Sequence, residues 1–84
     1  MIKPLIHLNG SGKTLLEKNW MTVYTQTRNL EDALCDAHPH GRDYYPLGAD
    51  AYRQAAEEHM ELRKALDIIR QYTNDMLEHL AETE

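Results

Sequence analysis

The stretch YRQAAEEHMELRKALDIIRQYTNDMLEHL, Tyr52 to Leu80, decides the fold. Its residues Tyr52, Ala55, His59, Leu62, Leu66, Ile69, Thr73, Met76 and Leu80 are spaced alternately three and four apart, the heptad rhythm of a helix that presents one apolar seam to a partner. With its flanks the stretch predicts a helix over about residues 50–82, roughly 50 Å long at 1.5 Å per residue. Beside the seam lie Ala51, Glu58, Ala65, Ile68 and Tyr72, which widen the stripe beyond what one neighbouring helix covers. We read that excess as a self-association face; the alternative is that the N-terminal segment alone fills it.

Upstream, Leu16, Trp20, Val23, Thr27, Leu30, Leu34 and Ala37 repeat the same spacing and predict a first helix over about residues 14–37. Thr14 and Glu17 stand at the spacing of a capping box, in which hydroxyl and carboxylate each satisfy an open backbone N–H. His38-Pro39 ends this helix, because proline disfavours helical backbone in the residue before it. Asp50 is the expected N-cap of the long helix, with Gly48 the alternative. Two seams joined by a loop over residues 38–49 predict an all-α antiparallel helical hairpin, one domain over residues 1–84. Residues 1–12, in which Pro4 forbids a helix interior, form an extended N-terminal arm. The first helix is shorter by roughly 14 Å, so the last two or three turns of the long one should overshoot it. Ile2, Leu5, Ile6 and Leu8 of the arm are available to cover that overhang. Arg63 with Asp67, and Glu61 with Lys64, mark the solvated face as surface ion pairs.

The chain has 84 residues, a formal charge of −5 and an isoelectric point near 5.4. A domain this short buries only about 60% of its unfolded surface, so association with further copies through the long helix is a natural remedy. The acidic balance argues against a duplex DNA binder that neutralises many phosphates. No run approaches the roughly 18 apolar residues of a membrane span, and Met1 to Gly10 is too short and too weakly apolar for a secretory signal. With the lone cysteine, Cys35, unable to form an internal disulfide, these features point to a cytoplasmic protein.

Gly10-Ser11-Gly12-Lys13-Thr14 ends like a P-loop, but His7 stands where that motif needs a glycine, and no strand pattern feeds it. What remains is a helix N-terminus with Lys13 beside it, a place where an anion is favoured. Cys35, His38 and His40 are zinc-type ligands without a fourth at matching spacing, so no metal and no cofactor is expected. His59 on the seam reads as a satisfied interior histidine, and His79 as a charge partner of a helix C-terminus. No nucleophile with a positioned base and no paired carboxylates emerge, so no catalytic residue is assigned.

The loop segment Gly41-Arg42-Asp43-Tyr44-Tyr45-Pro46 is chemically richer than a connector requires. Arg42 offers a planar donor fork for phosphate, Tyr44 and Tyr45 offer stacking faces, and Asp43 accepts from a hydroxyl or amine. These groups suit a nucleotide. The competing reading is that the tyrosines plug the end of the hairpin while Arg42 and Asp43 pair locally.

His7-Leu8-Asn9-Gly10, Leu15-Leu16-Glu17 and Gly41-Arg42-Asp43-Tyr44-Tyr45 together resemble a family of small helical proteins from bacteriophages and prophages. The resemblance spans nearly the whole chain and supplies no activity of its own. In size and architecture the chain is also similar to phage anti-defence sponges, helical-hairpin oligomers that sequester cyclic or ADP-ribose-type immune nucleotides. Taken with the chemistry of the loop and of the segment before the first helix, this gives an expected ligand-binding set of His7, Asn9, Gly10, Lys13, Arg42, Asp43, Tyr44 and Tyr45. Within one hairpin the two halves of this set lie at opposite ends, roughly 35 Å apart. An antiparallel pairing of two hairpins would bring the Asn9 end of one beside the Tyr44 loop of the other. The expected protein is therefore a homo-oligomer that captures a phosphorylated nucleotide without turnover. The alternative is a protein-interaction module that inhibits or regulates a host protein.

Overall fold

The computed structural model describes residues 1–7, 10 and 12–82, and every regular element among them is helical. Helix α1 spans Lys13–Asp36, a single turn α2 spans Gly41–Tyr44, a 3-10 turn covers Tyr45–Leu47, and α3 runs for 34 residues from Ala49–Glu82. The molecule measures 61 × 20 × 19 Å, with a radius of gyration of 18.5 Å. A compact chain of this length would have a radius near 12 Å. The heptad spacing thus located both long helices to within about a residue at each end. No helix is long and apolar enough to cross a membrane.

The helix ends differ from expectation at one place. The cap position of α1 is Gly12, which has no side chain, and no side-chain cap bond forms there. Thr14 lies inside the helix, and Glu17 turns to Lys13 at 3.9 Å, so the capping box is not made. At the other end, Ala33 O accepts from Ala37 N–H and Cys35 O from His38 N–H. The Leu34 carbonyl is completed from across the molecule, by the Nε2–H of His59 at 2.7 Å. A carbonyl oxygen only accepts, so this bond assigns the ring proton to Nε2. Asp50 falls in the first turn of α3 and pairs with Arg53 at 3.2 Å, leaving the cap position to Gly48. Gly48 has φ 104° and ψ 165°, a region open essentially to glycine alone, and there the chain leaves the 3-10 turn for α3.

Contacts between the long helices pair Leu34 with His59, Glu31 with Arg70 and Trp20 with Tyr72, in opposite order along the chain. Leu66, Met76 and Leu80 are the buried apolar side chains among the described residues, accompanied by Thr27, His59 and Thr73. Thr73 donates its hydroxyl to Ile69 O at 2.8 Å, which satisfies it in the interior. The overhang lies at the end opposite to the expected one. Beyond the Leu34–His59 bond, α1 has two further residues and α3 has ten, so roughly 12 Å of α3 extends past its partner there. Turn α2 and the 3-10 turn fold back against that length.

The arm crosses the far end of α3, where His79 Nε2–H donates to Pro4 O at 3.0 Å. Pro4 and Ile6 are half-buried, whereas Ile2 and Leu5 are 90% and 81% exposed. The arm thus docks by a backbone carbonyl and two side chains rather than by all its apolar residues; Leu8 lies outside the described residues. Of the expected surface pairs, Lys64–Glu61 forms at 3.2 Å, while Asp67 turns to Arg70 at 2.9 Å.

Candidate functional site

The α2 turn starts with Asp43 N–H donating to His40 O at 3.0 Å, and the following 3-10 turn closes with Gly48 N–H on Tyr45 O at 3.1 Å. Both turns pack on the first part of α3, so the loop is a folded platform. The two tyrosines divide their roles. Tyr44 is half-buried and anchors the platform, while Tyr45 is 76% exposed. Arg42 and Asp43 are exposed, and among the described residues neither side chain has an ion-pair or hydrogen-bond partner. Local pairing of Arg42 with Asp43 does not occur, so a guanidinium and a carboxylate on α2 and the Tyr45 phenol on the adjoining 3-10 turn face solvent.

At the opposite end, Gly10 N–H donates to His7 O at 3.2 Å. The imidazole lies over the glycine so closely that a Cβ there would sit 2.6 Å from His7 Nε2. The glycine of the His-Leu-Asn-Gly motif therefore lets the histidine ring fold back on its own turn. Lys13 is half-buried beside Glu17 at the start of α1. Asn9 lies outside the described residues. The 24 residues of α1 separate this end from Arg42 by roughly 36 Å. One chain does not bring His7, Gly10 and Lys13 to Arg42, Asp43, Tyr44 and Tyr45.

Between these ends, two grooves flank the line where α1 meets α3. One is charged. Arg70 bridges Asp67 at 2.9 Å and Glu31 at 3.6 Å, and a cavity of about 290 Å³ there is lined by Glu31, Leu34, Arg63, Leu66, Asp67 and Arg70. Glu31 Oε1 is buried without a hydrogen-bond partner among the described residues. Farther along this side Arg28 donates to the Tyr24 hydroxyl at 3.3 Å, a bond that raises the guanidinium pKa still further, with its charge 6.0 Å from the ring centre. The other groove is apolar, about 300 Å³, lined chiefly by Val23, Thr27, Leu30, Leu66 and Ile69.

Spacing along one helix did not pair Glu31 with Arg70, nor assign His59 and His79 to carbonyls of other segments. The only sequence signal for them was their place on or beside a seam. His38 meets His59 edge-on at 4.9 Å and donates from Nδ1 to Pro39 O at 2.9 Å, so both rings are engaged in ending α1. Among the described residues no cluster of three His, Cys, Asp or Glu side chains is placed to hold a metal ion. Cys35 is a free, exposed thiol.

Among the described residues the chain is all-helical, with a polar loop at one end of its long helices and a histidine turn at the other. Comparison with protein-family models, with curated proteins and with solved structures finds no match to it.

Proposed function

We propose that this chain is a non-enzymatic, self-associating binding protein that captures a small phosphorylated ligand of nucleotide type, a cyclic nucleotide or an ADP-ribose derivative. It would act in the host cytoplasm as phage anti-defence sponges do, in a stoichiometric complex. The observation that supports this reading is the outward-facing set of Arg42, Asp43 and Tyr45, unpartnered on a folded turn that Tyr44 and Gly48 hold in place. An arginine fork left open suits a phosphate, an exposed phenol ring suits a base, and a free carboxylate suits a ribose hydroxyl. With α1 and α3 as the arms of one antiparallel hairpin, His7, Asn9, Gly10 and Lys13 of a second copy complete the site at a subunit boundary.

The test is thermal unfolding with a panel of cyclic dinucleotides and ADP-ribose derivatives. A ligand at a hundred times its Kd stabilises by about 2.7 kcal/mol, which raises the midpoint of a chain this size by roughly 10 °C or more. Arg42→Ala should abolish the shift and leave the native mass unchanged. Binding that survives Arg42→Ala removes the site assignment.

A second reading, a module that inhibits or regulates a host protein, is favoured by the extent of exposed apolar surface, with Leu62 and Leu47 at 56% and 74% exposure. Arg42 and Tyr45 would then be interface anchors, residue types enriched at binding hot spots. A midpoint indifferent to every nucleotide in the panel would move the assignment to this reading.

A further inference from the structure

The seam of α3 divides into two rows of heptad period, and one neighbouring helix covers them unequally. His59, Leu66, Thr73 and Leu80 recur every seventh residue and are buried without exception, at 6%, 7%, 0% and 0% exposure. The alternate row is Ala55, Leu62, Ile69 and Met76; Met76 is buried at its C-terminal end, at 4% exposure, and Leu62 and Ile69 in its middle are 56% and 44% exposed. Helix α1 repeats this division. Thr27 is buried, while Leu30, three residues on, is 53% exposed and lines the same apolar groove as Val23 and Ile69. Ile68 and Tyr72 continue the open surface on α3. A two-helix contact uses both rows of a heptad seam; here Leu30, Leu62 and Ile69 of the seams stay open, and Ile68 and Tyr72 widen the stripe beside them, which is the pattern of a bundle helix with more than one neighbour.

We propose that a second copy of this chain docks on the apolar groove, covering Val23, Leu30, Leu62 and Ile69 to make a four-helix bundle with the charged Glu31–Arg70 groove facing outward. This deepens the self-association in the reading above by naming its face. Two quantities favour a copy over an unrelated protein. The chain exposes 6682 Å², against about 5,200 Å² for a compact monomer of its 9.8 kDa. The excess, roughly 1,500 Å², exceeds the approximately 800 Å² that each partner of a standard interface buries. The second quantity is the core. With Leu66, Met76 and Leu80 as its buried apolar side chains among the described residues, the folded chain needs a cover wherever it is made. Another copy is present wherever the chain is made, and a two-fold axis sets the same open positions against each other.

Native mass spectrometry and thermal unfolding of the full chain over a hundredfold concentration range test this without any ligand. We expect twice the 9.8 kDa chain mass and a midpoint that rises with concentration. Leu62→Glu combined with Ile69→Glu should abolish the association, whereas Arg63→Glu, on the charged side, should preserve it. If the double variant fails to fold, Ile69→Thr should still weaken association at least tenfold. A monomeric wild type with a concentration-independent midpoint overturns the proposal. So does dissociation by Arg63→Glu with Ile69→Thr still fully associated. Arg42→Ala should leave the mass unaltered, so failure of the ligand reading and failure of this face are read separately.

Discussion

The two grooves beside the α1–α3 contact share Leu66 as a wall and differ in everything else. On the charged side, Arg70 pairs with Glu31 and Asp67, so the charges balance one another even though Glu31 Oε1 is buried without a hydrogen-bond partner among the described residues. On the apolar side, Val23, Leu30 and Ile69 have no such recourse, since no side-chain bond replaces the burial they lack. The difference shows which side of a helical pair is finished. A charged groove can serve as a solvent boundary, whereas an exposed apolar groove of similar volume is the surface that the proposed second copy would cover.

The largest effect separating the two sides should come from the shared wall. Leu66→Ala removes a buried side chain and should cost about 2–5 kcal/mol in urea unfolding. Leu62→Ala is the sharper comparison. If a second copy covers it, its cost approaches that of Leu66→Ala; on an isolated chain it stays within about 0.5 kcal/mol. His59→Ala should cost about 1–3 kcal/mol, because it leaves the Leu34 carbonyl at the end of α1 without its donor, and hydrogen exchange should show that end fraying first. Gly48→Ala should cost about 1–3 kcal/mol through its positive φ while leaving the native mass unchanged. Arg70→Ala on the charged side should cost no more than about 1 kcal/mol, and molar salt should erase most of that loss.

The helices were legible because their apolar spacing is a property of the chain itself. Leu16 to Ala37 and Tyr52 to Leu80 carry the rhythm whether or not the partner is present, and α1 and α3 begin and end within about a residue of the bounds expected from it and its flanks, 14–37 and 50–82. The cap of α1 was misread at Thr14 because two starts two residues apart suit that sequence, and Gly12 offered no side chain to advertise its place. The overhang was misplaced for a related reason. Lengths alone say that one helix is longer, and only the Leu34–His59 and Trp20–Tyr72 contacts set how the two slide past each other.

The candidate site divides along the same line. The chemical character of Arg42, Asp43, Tyr44 and Tyr45 was plain in the sequence, since donor forks, carboxylates and rings are fixed by residue type. Which tyrosine anchors and which is offered to solvent was not, because that depends on how α2 and the 3-10 turn fold against α3. The sequence by itself determined that the chain is helical, where its long helices run, and that both carry two apolar rows. Only the tertiary structure decided which seam positions are buried, Leu66, Met76 and Leu80, and which stay open, Leu62 and Ile69. A helix seam records how many neighbours it wants, but burial depends on neighbours that are distant in the chain, and local spacing carries no information about their register.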